Sequence, residues 1–86
     1  MTDLTPRLRR RIEADFGGSA DEVAAAVRGA RDTERTQAAI VLIAQGDQDR
    51  LAYALRIAAL DWRDLLMDAG LAHTDWPDRL DEALGD

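Results

Sequence analysis

Seven consecutive apolar residues, Ala38-Ala39-Ile40-Val41-Leu42-Ile43-Ala44, form the longest such run in the chain and leave it few ways to fold. A helix at the surface of a protein carries its apolar residues on one stripe. A helix through residues 38–44 is apolar on every side, so its neighbours must wrap it. A buried strand is the competing reading, because a short apolar run does not by itself separate the two. Helix is preferred because helical text continues on both sides and the run contains three Ala, although Ile40, Val41 and Ile43 are β-branched. The expectation is an all-α, compact, single-domain bundle of five or six short helices around a central buried helix at about 33–45.

The remaining text supplies the wrapping. Thr5-Pro6 starts a first helix, about 6–16, with Thr as N-cap and Pro where a missing N–H costs nothing. Leu8, Ile12 and Phe16 make its stripe, and Gly17-Gly18 ends it. Ser19 to Glu22 fits a capping box for a second helix, about 20–28, facing inward with Val23, Ala24 and Val27 and stopping at Gly29. Asp32 or Thr33 caps the central helix, and Gly46 terminates it. Asp47 caps a fourth helix, about 48–60. Leu51, Leu55, Ala58 and Ala59 are its inner face, widened by Tyr53, Ile57 and Leu60. Asp61 caps a fifth, about 62–69, with Trp62, Leu65, Leu66 and Ala69 inward and Gly70 closing it. Asp75 caps a sixth, about 75–84, with Pro77 in its first turn.

Length and charge bound the function. Eighty-six residues make one domain, 1–86, that buries roughly 60–65% of its unfolded surface. There is no Cys, hence no disulfide and no thiolate chemistry, which fits a reducing compartment. Residues 1–6 lack a signal peptide's apolar core, and the longest apolar run falls far short of the ~20 residues of a membrane span, so a cytoplasmic protein is expected. All eleven basic residues are Arg, as a GC-rich bacterial genome would supply. The net charge of -6 lies entirely in residues 44–86, where four Arg face ten acids. Such a surface disfavours nucleic acid and anionic lipid and suits a basic partner.

Residue types for catalysis are scarce: one His (His73), one Ser (Ser19) and one Tyr (Tyr53). Ser19 is accounted for by the capping box and His73 by a solvated loop. No second His or Cys is spaced for zinc. Asp47-x-Asp49 begins like a calcium loop, but Leu51 occupies the next ligand position. Asp61/Asp64 and Asp75/Asp78 read as caps with first-turn acids that suit the helix dipole. Asp61, Asp64 and His73 are the only candidates for an enzyme, and no catalytic, metal or cofactor site is expected. Arg7, Arg9, Arg10 and Arg11 form the one basic cluster and could touch phosphates, although Arg9–Glu13 and Arg11–Asp15 are spaced to pair.

The two tryptophans are the better lead. Trp62 and Trp76 stand at helix starts in a shared D-W-x-D-x-L pattern, offset by 14 residues. They fit as corner pieces of the core. Alternatively one is exposed beside Arg63 as an interaction anchor, since Trp and Arg are enriched at binding hot spots. The stretches Glu34 to Ile40, Gly46 to Leu51, Asp61-Trp62-Arg63-Asp64-Leu65-Leu66, Gly70-Leu71-Ala72 and Asp75-Trp76 together resemble a family of small uncharacterised bacterial proteins, mainly actinobacterial. That resemblance covers about residues 34–80. It implies a helical, cytoplasmic bacterial protein and brings no activity, ligand or cofactor. The functional expectation is a non-enzymatic acidic module acting by protein–protein interaction or self-association, with Trp62, Arg63 and Trp76 near the contact. The alternative is nucleic-acid binding through Arg7–Arg11.

Overall fold

A computed structural model of the protein describes residues 4–85. Residues 1–3, which open the segment read for a signal peptide, and residue 86 lie outside the described part. Six α-helices follow one another: α1 (Pro6–Phe16), α2 (Ala20–Ala30), α3 (Glu34–Ala44), α4 (Gln48–Leu60), α5 (Trp62–Ala69) and α6 (Trp76–Leu84), with a 3-10 turn at Gly17–Ser19. The chain is an all-α bundle. No helix among the described residues is long and apolar enough to cross a membrane.

α3 is the axis of the bundle and touches all five other helices. Ala38, Ala39, Ile40, Val41 and Ala44 are fully buried, while Leu42 and Ile43 are half-buried. The wrapping is thus nearly complete, with one thinner side. Around the axis pack Leu8 and Ile12 of α1, Val23 and Val27 of α2, Leu51 and Ala54 of α4, Leu65 and Leu66 of α5 and Leu80 of α6. The polar start of α3 is buried too. Gln37 donates from Nε2 to the Arg31 carbonyl at 2.8 Å, and Thr36 exchanges a hydroxyl contact with Thr33 at 2.6 Å, so neither is left unpaired.

Four caps form as their sequences dictate, that of Asp61 at α5 among them. The Thr5 hydroxyl accepts from Leu8 N–H, Thr33 from Thr36 N–H, and Asp47 from Asp49 and Arg50 N–H. Two expected caps do not form. Ser19 closes the 3-10 turn, and its side chain makes no cap bond, because the backbone there is already turning helically. Asp75 also caps nothing; its carboxylate accepts from Arg79 Nε at 3.0 Å instead. Gly29 does not stop α2, which runs on to Ala30. The covered face of α4 is narrower than expected. Ala54 is buried, whereas Ala59, Tyr53 (45% exposed) and Leu60 (77% exposed) face outward. The Arg11–Asp15 pair forms at 2.9 Å, and Arg9–Glu13 does not.

Gly46 lets α3 and α4 meet in so short a turn. Its φ is +78°, and a Cβ there would stand 2.8 Å from the Asp15 carbonyl oxygen. The turn therefore lies directly against the end of α1.

Candidate partner-binding groove

The residues that place the tryptophans are set by how α5 ends. Gly70, at φ +76°, takes the left-handed conformation that a glycine tolerates best. Leu71 N–H then donates to the Leu66 carbonyl at 2.8 Å, and Gly70 N–H to Met67 at 3.2 Å. These two bonds make a Schellman closure, with Leu71 buried. The reversal leaves the Leu71 carbonyl to accept from Arg35 Nε at 3.0 Å and Nη2 at 2.7 Å. Arg35 belongs to the first turn of α3. So clamped, its guanidinium lies 4.7 Å from the centre of the Trp76 ring, a cation–π contact.

Trp62 caps the opposite wall. Asp61 accepts from Arg63 N–H at 3.0 Å and so fixes the first turn of α5. Trp62 was expected to point inward, but it is 44% exposed, because Leu65 and Leu66 fill the space over α3. Arg63 lies 5.5 Å from the Trp62 ring centre. Between the two indoles opens a cleft of about 360 Å³, lined by Arg31, Thr33, Arg35, Thr36, Trp62, Leu66 and Trp76. That is the lower end of the roughly 300–1,000 Å³ range of small-ligand pockets. A second hollow of about 320 Å³ shares Arg35, Trp62 and Leu66 and adds Arg63, Met67 and Ala72. Together they form one groove running along both sides of Trp62, with Met67 68% exposed beside it.

The groove is more basic than the surrounding acid-rich half suggests. Among the described residues, Arg31, Arg35 and Arg63 form no ion pair. The Nη1 amine of Arg35 has no hydrogen bond, and the Nε of Arg31 is buried without a partner. A buried unpaired donor costs about 1–3 kcal/mol, and the cost is larger when the group is charged.

The sequence singled out Trp62, Arg63 and Trp76, and the fold brings all three to this groove. It missed Arg31 and Arg35, which come from the turn before α3 and from α3 itself. With Asp32 and Glu34 between them, nothing in their spacing singled them out.

The other sequence candidates are elsewhere. Asp61 is a cap, Asp64 and His73 are exposed, and no cluster among the described residues could hold a metal ion. Arg7 is consumed in the fold: it donates from Nε and Nη2 to both Glu34 oxygens at 2.9 and 2.7 Å, and from Nη1 to Asp81 at 2.6 Å. Arg11 donates to Asp15 and to the Ala83 carbonyl. A wider hollow of about 590 Å³ includes Arg11, Arg50, Tyr53 and Asp68, but Arg11 is already committed and Tyr53 donates to Asp68 at 3.3 Å.

Comparison with protein-family models, with curated proteins and with solved structures finds no match.

Proposed function

We propose that the protein is a non-enzymatic interaction module that docks a protein partner on the Trp62–Trp76 groove. The observation that carries this reading is the pre-arranged set of two indoles and three arginines that form no ion pair among the described residues, lining adjoining hollows. Trp and Arg are the residue types that dominate binding hot spots, and a site already held in place spends less on ordering when it binds. Arg35 is held by the Leu71 carbonyl, and Trp76 by Arg35. Such a role fits the small cytoplasmic bacterial family that the sequence resembles. It also revises the expected charge of the contact, since the tryptophans stand among arginines and not on acids.

The nucleic-acid alternative has less support. Two of its four arginines, Arg7 and Arg11, spend their donors on carboxylates and carbonyls within the fold.

The test is capture from a cell lysate by immobilised protein, run beside the Trp62→Ala variant, with light scattering of the purified chain. A protein retained by wild type and lost with Trp62→Ala is the expected result. A strict monomer whose captured proteins are the same with and without the Trp62 indole removes the proposal.

A further inference from the structure

The groove has a chemistry that specifies more than a generic partner. Its floor and walls are apolar at Trp62, Leu66 and Trp76, while one rim carries Arg31 and Arg35. The start of α3 lies on the same side through Thr33 and Thr36. Arg31 brings a guanidinium with no ion pair among the described residues, and Arg35 brings a free Nη1. Both point to one missing kind of group, an oxygen anion attached to an apolar body.

We infer that the groove binds a short acidic peptide segment of a protein partner, with an Asp or Glu carboxylate on Arg31 and Arg35 and an adjoining apolar side chain between the indoles of Trp62 and Trp76. This rests on the docking reading above and names the partner's chemistry. A planar guanidinium prefers a carboxylate it can meet with two parallel N–H bonds. The volume, about 360 Å³, admits one side chain and its flanking backbone and not a folded surface. Overall charge selects against a long polyanion: the chain carries -6, and a nucleic acid laid across the surface meets that field. A single carboxylate feels mainly the arginines within the Debye length, about 8 Å at physiological salt.

The protein contains its own reporter, since Trp62 and Trp76 are its two tryptophans and both line the groove. A displayed library of random heptapeptides is selected on the purified full chain. Enriched sequences are synthesised without Trp or Tyr and titrated while Trp fluorescence is followed. The expected consensus places an acid next to an apolar residue. Replacing that acid by its amide weakens binding about tenfold or more, the effect of one charge-assisted hydrogen bond. Arg31→Gln weakens it similarly; this variant should fold, because Arg31 is used internally only through its backbone, the N–H by Val27 and the carbonyl by Gln37. A consensus without acids, or equal affinity for Arg31→Gln, overturns the assignment and leaves the docking reading intact. No enriched peptide also overturns it, and the capture experiment then decides the docking reading separately. Phenylacetate binding as tightly as the peptides overturns it in favour of a site for small organic acids.

Discussion

At Glu34 three donors converge from α1 and its cap: the Thr5 hydroxyl, Arg7 Nε and Arg7 Nη2. The Arg7 guanidinium, and then the Thr5 hydroxyl, hold the Glu34 carboxyl below its ordinary range against the opposing effect of burial. The folded pKa is lowered, so the contribution to stability is fully present above the ordinary glutamate value of about 4.3 and is lost as pH falls through the depressed one. Glu34→Gln is predicted to cost about 1–2 kcal/mol at neutral pH, or roughly 4–16 °C in Tm for a chain of this size. The wild-type advantage over the variant should shrink in thermal melts taken at progressively lower pH below about 4; a constant gap removes this account. None of this was legible beforehand, because Arg7 and Glu34 lie 27 positions apart and only the fold joins them. The tryptophans give a second check at the same scale. Trp62 is half in water and Trp76 lies under Arg35, so acrylamide should quench the Trp76→Phe variant, which retains Trp62, more strongly than Trp62→Phe.

Elements were readable wherever a local rule decides them. The bounds of α1, α4 and α5 follow from Thr5, Asp47 and Asp61 as caps and from Gly17 and Gly70 as stops, all interactions within one turn. Ser19 and Asp75 have the right composition for caps and fail because the approaching backbone is already turned, which composition does not encode. The outer face of α4 was misjudged for a related reason: apolar Leu60 and Tyr53 satisfy a helical period, but the neighbouring helices leave Leu60 bare and Tyr53 only partly covered. Two predictions belong to the central elements. Val41→Asp should unfold the chain, since a buried unpaired carboxylate costs several kcal/mol against a total stability of about 5–15 kcal/mol. Leu42→Asp, at a half-buried position, should cost less and leave a folded chain with a lower Tm by circular dichroism. Gly46→Ala should destabilise by about 2 kcal/mol or more, through its left-handed φ and the Asp15 carbonyl 2.8 Å from the new methyl. A denaturant midpoint equal to wild type would show that the turn can relax.

Across the whole molecule, α3 touches every other helix, so no helix pair can come apart without exposing the shared core. Far-UV circular dichroism and Trp fluorescence should therefore report one coincident melting transition, and separated midpoints would contradict that cooperativity. The groove was half legible. Trp62, Arg63 and Trp76 stand out by residue type, whereas Arg35 is fixed beside them only once the Gly70 reversal brings the Leu71 carbonyl across to α3, and Arg31 joins them only in the fold. The last helix adds a consequence. Among the helices of the described residues, α6 touches only α1 and α3, and its first residue, Trp76, is a wall of the groove. Whatever seats itself there would also latch the tail of the chain, and amide protons of residues 78–84 should exchange more slowly with deuterium when the seat is filled.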